Sequence, residues 1–481
     1  MKTVIITLLF LFPSVLLFAQ VDRTHAPKPE TPQALNLGEM TSFKLNNGLK
    51  VFLVNRPGYT KFTMSINIDQ PSIQDDNQEP RSVLSAAYYK NYSLNMAEGV
   101  ADSLTEQLGA QIGATINGGF IKGMKRDIKT LLDLYTEALF NPAFTAEDIQ
   151  NEADKYAKRI TKKQEQPQIT ELRNIGIILT DSLVHGKIGT EAKKEQSLNY
   201  DTLTIADVKA YQHKRVVANN ALIVLIGDFS RKEAEALINR SFGNWKTGEP
   251  HVAEHNFENT ESRLISRKIY VIDNPLAVQS KISFHWNIQD AFPYFEKTSE
   301  LQMLNEVFGS SQNSYLYRNL REDKGLCYFV GSSIGESAAG GSAHINTSVR
   351  NDVTALAVEN IILEMLRIRN TTVSDLDFDI AKGSLINEFS RSISGISTIP
   401  YISFAMAKDQ YNLADTYLQE RVQKVYNVTK EDIRQMAQKY VNPFACLILV
   451  EGKAEELKGQ LEKFGEVHYI TKDGKNIEFG K

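Results

Sequence analysis

The chain repeats itself once, and the repeat decides most of what it can fold into. LTIADVKAYQHKRVVANNALIVLIG runs from Leu203 to Gly227, and VTKEDIRQMAQKYVNPFACLILVEG runs from Val428 to Gly452. The two align without a gap: Thr204 with Thr429, Asp207 with Asp432 and Gly227 with Gly452, an offset of 225 each time (429 − 204, 432 − 207, 452 − 227). Each unit reads as a capped helix, a short loop and a buried strand ending in glycine. The spacing predicts a further helix after each, over 231–242 and 454–464, closing on Phe-Gly. Thr145-Ala-Glu-Asp-Ile149 is echoed by Thr372-Val-Ser-Asp-Leu376, and the strand 50–56 by 268–274. A period this long is no solenoid. It is a duplicated α+β domain of roughly 200 residues, an ordinary domain size.

Length agrees, since 481 residues are too many for one core. Asn47-Gly48 between alternating apolar residues predicts a hairpin over 41–54. Further strands are expected over 60–68, 111–124, 268–273, 279–288 and 342–349. Helical periodicity marks 81–90, 96–108, 128–139, 145–160, 295–308, 352–369 and 374–389. Helices mixed with antiparallel strands give two homologous α+β domains, each a sheet with helices over one face. The boundaries expected are 37–245 and 267–481, joined by the polar linker 246–266.

Residues 1–19 have one lysine, an apolar run and Ala19 before a plausible cut, the pattern of a secretory signal peptide. The alternative is a membrane anchor, but the run is short, broken by Pro13 and followed by no basic cluster. Residues 20–36 are polar and Pro-rich and read as a flexible segment. No cysteine lies near the cut for a lipid. An exported, periplasmic chain without stable membrane insertion is expected. A net charge of −4 provides no basic field and argues against nucleic acid. Cys327 and Cys446, the two cysteines, make no disulfide framework. A single bridge between them and two buried thiols are both open.

The most informative stretch is Ser314-Tyr-Leu-Tyr-Arg-Asn-Leu-Arg321-Glu-Asp-Lys-Gly325-Leu-Cys-Tyr328. Tyr315, Leu316 and Leu320 have helical spacing, Gly325 stops the helix, and 326–333 reads as a buried strand. Arg321 then sits in the last helical turn and Tyr328 just beyond a tight turn, a cation and a phenol aimed at one volume.

Asn274-Pro275, Gln279, Ser314, Leu316, Leu320-Arg321-Glu322, Gly325 and Tyr328 fall in an order that resembles the second domain of the pitrilysin, or insulinase, superfamily of zinc metallopeptidases, which includes the mitochondrial processing peptidase. Phe140-Asn-Pro-Ala-Phe144, Asn219-Asn220-Ala221 and Gly227-Asp228 resemble signatures of its first domain. The resemblance covers nearly all of the chain from about residue 40. It implies two homologous α+β domains. Catalytic members carry H-x-x-E-H on the first helix of the first domain, two imidazoles for zinc and a glutamate base, with a distant glutamate as third ligand. The matching helix here, 81–90, has no His and no Glu, and no histidine lies between residues 26 and 184. The distant glutamate would fall near Lys158-Arg159. His251 and His255 are four apart, but in a polar linker. No metal and no cofactor is therefore expected in this chain, and no hydrolysis by it alone.

The resemblance implies that Arg321 binds a substrate carbonyl and that Tyr328 can hydrogen-bond the developing oxyanion. Chemistry agrees, since a peptide hydrolase needs fixed donors where negative charge develops, arginine never loses its proton and tyrosine donates directionally. In two-subunit members zinc and Arg/Tyr lie on different chains. The expectation is thus a heterodimer with a homologous H-x-x-E-H, zinc-bearing subunit, acting on an unfolded or extended peptide that adds to a sheet edge. The first alternative is an inactive structural or peptide-binding member. It gains from two departures: the glycine-rich loop is reduced to Gly309-Ser-Ser-Gln-Asn313, and Tyr315 replaces the usual arginine after Ser314. The second is separate chemistry from Ser310, Ser311 and His344, with no G-x-S-x-G elbow.

Overall fold

A computed structural model describes residues 39–69, 77–90, 95–96, 99–165, 175–185, 198–249, 262, 264–288, 297–336, 341–394, 399–411, 413–414 and 416–479. The expected signal peptide, the polar segment after it and most of the linker, with His25, His251 and His255, lie outside these residues.

Two six-stranded sheets organise the rest. The first contains β1 (Glu39–Lys44), β2 (Lys50–Asn55), β3 (Lys61–Ile68), β4 (Gln111–Thr115), β5 (Gly118–Met124) and β6 (Ala221–Gly227), in the order β1-β2-β6-β3-β5-β4. The second contains β7 (Lys268–Asp273), β8 (Gln279–Ile288), β9 (Cys327–Gly335), β10 (Gly341–Arg350), β11 (Leu447–Gly452) and β12 (Glu466–Ile470), in the order β12-β7-β11-β8-β10-β9. Five strands correspond one to one. β6 lies parallel to β2 and antiparallel to β3, and β11 treats β7 and β8 in the same way. The sixth strands differ. β1 comes from before its neighbour and runs antiparallel to it, whereas β12 comes from the end of its half and runs parallel. The fold duplicates five strands of each sheet, of which the sequence repeat marks the pairs β2/β7 and β6/β11.

The repeat also governs the helix starts. Thr204 caps helix Ile205–Arg215 and Thr429 caps helix Lys430–Tyr440. Each hydroxyl accepts from the backbone N–H three residues on, and Asp207 or Asp432 accepts in return from the cap residue. These are reciprocal capping boxes. The β1–β2 turn holds Gly48 at φ 87, and the Asn47 side chain bonds the carbonyls of Phe242 and Trp245 across the half. The second repeat departs from expectation in one place. Helix 454–464 stops at Leu457, and only a short turn, Glu462–Phe464, follows. Lys458 at ψ 128 already leaves the helix, and Gly459 at φ 78 takes a left-handed conformation that turns the chain further.

The faces of the sheets explain the strand composition. β8 alternates strictly: Ser280, Ile282, Phe284, Trp286 and Ile288 are buried, while Gln279, Lys281, Ser283, His285 and Asn287 face outward. β2 and β6 are apolar on both faces. Val51, Leu53, Ile223 and Leu225 pack on helices of their own half. Phe52, Val54, Val224 and Ile226 pack on Ile393, Tyr401, Phe404 and Leu418 of the second half. An unbroken apolar run is what a strand covered on both sides requires. Helices Asp375–Ser394, Ile399–Tyr411 and Tyr417–Asn427 thus cover the other half's sheet, while Ala381 and Val425 pack into their own half's core. In the second sheet, Leu447 and Leu449 receive Val184 from the first half.

Candidate functional site

The polar outer face of the second sheet floors a cleft of about 1160 Å³. Lys281, Ser283 and His285 of β8, with Asn346, Ser348 and Arg350 of β10, line it from the second half. Gly176, Ile177, Thr180 and Asp181 wall it from the first. Lys281 is held by Glu451 at 3.1 Å, and Asn274 donates to the same carboxylate at 3.0 Å. Gln279 opens β8 at the cleft margin.

Arg321 and Tyr328 meet at the outer edge of this cleft. Ser314 caps a short helix, Tyr315–Tyr317, which widens into a π turn over Arg318–Asp323. Tyr315, Leu316 and Leu320 are its buried anchors. Gly325, at φ 59, reverses the chain, and Leu326 N–H bonds back to the Leu320 carbonyl at 2.8 Å. β9 then begins at Cys327 as the edge strand. The Arg321 guanidinium carbon lies 4.8 Å from the Tyr317 ring centroid and 4.9 Å from that of Tyr328. The cation is sandwiched between two aromatic rings, each contact worth about 0.5–1 kcal/mol near a surface.

The strand expected over 326–333 exists, but it is not buried where the site lies. Tyr328 is 85% exposed and Phe329 61%. The register of β9 against β10 shifts between Thr347 and Val349. That bulge breaks the in-and-out alternation and puts two aromatic side chains in succession at the cleft rim. Glycine supports the arrangement at two places. A Cβ on Gly331 would come 2.8 Å from the Phe329 ring, and one on Gly309 would come 2.3 Å from the Ser332 hydroxyl. The shortened loop 309–313 thus keeps a glycine where the chain meets β9 most closely.

The two cysteines are free. Burial pushes the Cys446 thiol up to about 12. Burial raises Cys327 too, against a hydrogen bond from Thr347 and the Arg321 charge. Ser310, Ser311 and His344 do not form a unit. Ser310 donates to the Glu306 carboxylate and Ser311 to the Glu306 carbonyl, while His344 stacks 6.1 Å from His285 across the β8–β10 ladder.

Where the zinc motif would lie, helices Gln78–Lys90 and Ala146–Glu165 face one another. Tyrosines occupy this place. The Ser82 hydroxyl lies 2.9 Å from the Tyr200 hydroxyl, Tyr156 and Tyr200 rings are 6.0 Å apart, and the Arg159 guanidinium lies 5.2 Å from the Tyr156 ring. Among the described residues no three His, Cys, Asp or Glu side chains come together as metal ligands.

His285 on the cleft floor has its pKa lowered to about 4 by burial first, then by the neighbouring charges of His344 and His185. The unfolded value is about 6.5. A depressed folded pKa means that the unfolded chain binds more protons, so stability is complete above pH 6.5 and falls as pH drops toward 4. The loss is on the order of 3 kcal/mol. We expect urea midpoints measured between pH 7 and pH 4 to show this slope, and His285→Gln to flatten it.

Residues 202–385 match the family model of the peptidase M16 inactive domain. The match begins just before helix Ile205–Arg215 of the first half and runs across the linker into helix Asp375–Ser394 behind the second sheet. The probable inactive metalloprotease YmfF of Bacillus subtilis is 19% identical over 324 residues, 67% of this chain and 74% of that one. The crystal structure of a peptidase M16 inactive domain from Pseudomonas fluorescens superposes with a TM-score of 0.66 at 21% identity, over 86% of this chain and 98% of that one. The ferredoxin protease FusC, solved as a mutant with Arabidopsis ferredoxin, gives a TM-score of 0.66 at 13% identity over 90% of this chain, which spans 48% of FusC. Over residues 202–385 the chain therefore matches the inactive-type M16 peptidase domain, and it has the two-domain α+β fold of these structural neighbours, with no H-x-x-E-H motif in its sequence.

Proposed function

We propose that the chain is the zinc-free subunit of a two-chain pitrilysin-type peptidase, which lends Arg321 and Tyr328 to a zinc site on a homologous H-x-x-E-H partner. The observation that carries this reading is the Tyr317–Arg321–Tyr328 stack on an edge strand beside a large cleft. Two donors are held ready at an open rim, and among the described residues no cluster of metal-ligating side chains accompanies them. The edge of β9 offers unpaired backbone groups to an extended peptide, and the polar cleft floor provides hydrogen-bonding partners for it. Likeness to a probable inactive metalloprotease supports a chain that does not cleave alone. Export to the periplasm accompanies the proposal, from the N-terminal sequence alone.

The test is to mix the purified chain with a homologous H-x-x-E-H protein from the same genome and assay peptide cleavage. Cleavage that rises at least tenfold over either chain alone, with 1:1 association, is the expected result. No association and no gain would turn the reading to the alternative, a peptide-binding member without proteolysis, for which the same cleft and edge strand are the supporting features.

A further inference from the structure

Behind the second sheet, on the side away from the Arg321–Tyr328 cleft, lies a second cavity of about 420 Å³. Its walls come from helices Asp375–Ser394, Ile399–Tyr411 and Tyr417–Asn427, and from a π turn, Glu306–Ser310, that continues helix Thr298–Asn305. π turns are local insertions that gather at functional sites. This one places Glu306 in the cavity wall while leaving the residue only 7% exposed.

The Glu306 carboxylate is under-supplied. Two oxygens offer about four acceptor positions, yet among the described residues the side chain has one partner, the Ser310 hydroxyl on Oε2. A buried carboxylate is normally paired with a cation or with several donors, because desolvation of the charge is otherwise uncompensated. The remaining walls are mixed, with Leu385, Phe389, Phe404 and Leu418 beside the polar Gln302 and Ser403. Two more charged groups, Glu388 and Arg421, lie toward the surface, and Arg421 is stacked 5.2 Å from the Phe389 ring. Their formal charges sum to zero, which leaves the deep carboxylate as the net charge of the lining.

We infer that this cavity is a binding site for a small amphipathic organic amine, with its ammonium on Glu306 and its apolar body against Phe389, Phe404 and Leu418. The volume lies within the range of small-molecule sites and suits an aryl-alkyl or branched alkyl monoamine. An anion would meet Glu306, and a neutral isostere would leave the carboxylate unpaired. The location has a consequence. Phe404 and Leu418 line the cavity and also belong to the cluster that seals the first half's sheet against the second half. An occupant therefore packs against the side chains that join the two halves, and its binding is coupled to the tightness of that junction. The inference stands on this cavity alone and is independent of the proposed peptidase role.

Phenethylamine is the probe, with 2-phenylethanol and hydrocinnamate as the neutral and anionic controls. Saturable binding of the amine by calorimetry, a rise in melting temperature, and at least tenfold weaker binding of both controls are expected. Glu306→Gln keeps the shape and removes the charge, so amine affinity should fall at least tenfold. Leu418→Trp fills the cavity without altering charge and should abolish binding while circular dichroism shows the fold retained. Failure of the amine to bind the wild-type chain, or equal binding by Glu306→Gln, would overturn the assignment. Equal binding of phenylethanol would do so too, since it would make the cavity merely apolar.

Discussion

Replacing Arg56 with methionine is expected to destabilise the chain by about 3 kcal/mol, the scale for removing one member of a buried charged hydrogen-bond set. Arg56 follows β2 in the first half and is 8% exposed. Its guanidinium donates to the Ile393 carbonyl at 2.7 Å and to the Tyr401 hydroxyl at 2.8 Å, both in helices of the second half. Methionine approximates the stem but leaves that carbonyl and that hydroxyl without these donors inside the junction. Burial raises the Tyr401 pKa, and the Arg56 charge and hydrogen bond partly offset this. The effect should be local to the junction as well as global. The two tryptophans make that measurable, since Trp245 lies in the first half and Trp286 in the second, both buried. Their indoles bond the carbonyls of Val216 and Tyr440. In urea, the fluorescence of Trp245→Phe and Trp286→Phe variants reports one half each. With Arg56 present the two transitions should coincide. With Arg56→Met both should shift to lower urea and separate from one another. Coincident, unshifted transitions would show that the apolar cluster around Phe404 holds the halves together unaided.

Arg56 also shows where the sequence stops being legible. Its partners lie 337 and 345 residues away, and nothing local distinguishes it from a surface arginine. Local order was easier to read. The strand over 279–288, the Asn47-Gly48 turn and the two Thr-x-x-Asp caps are each decided within a few residues, and each takes the predicted form. The repeat carried the strand pairs β2/β7 and β6/β11, because both copies must bury the same faces. It did not carry β12, which pairs with β7 from the far end of the half. Arg321 and Tyr328 come together as the sequence implies because helix, glycine and strand lie in one contiguous stretch. Tyr317 was missed as the second ring on Arg321, although it stands four residues earlier, on the same side of a helical turn. The exposure of Tyr328 and Phe329 was missed because it depends on a bulge set by β10, and pattern within β9 alone reads as core.

Removing the Arg321 side chain should have the largest functional effect. In the mixed two-chain enzyme proposed above, Arg321→Ala is expected to lower kcat/KM about 100-fold, which corresponds to about 2.7 kcal/mol of lost transition-state stabilisation. The stack makes a sharper statement possible. A lysine preserves the charge but is neither planar nor forked, so it cannot lie between the Tyr317 and Tyr328 rings and present two donors at once. Arg321→Lys should therefore recover little of the loss. Tyr328→Phe separates the two uses of the phenol. It keeps the ring that holds Arg321 and deletes the hydroxyl alone. If the hydroxyl bonds the oxyanion, kcat falls about tenfold or more while KM hardly moves, because that bond exists only as charge develops. If Tyr328 only positions Arg321, phenylalanine leaves both constants near wild type, and Tyr328→Leu lowers activity toward the level of Arg321→Ala. Peptide affinity, measured with the partner's catalytic glutamate replaced by glutamine, should fall with Arg321→Ala and hold with Tyr328→Phe. An Arg321→Ala chain that supports full cleavage would remove the stack from the chemistry. It would leave β9 and the cleft as a surface for binding peptide without cutting it.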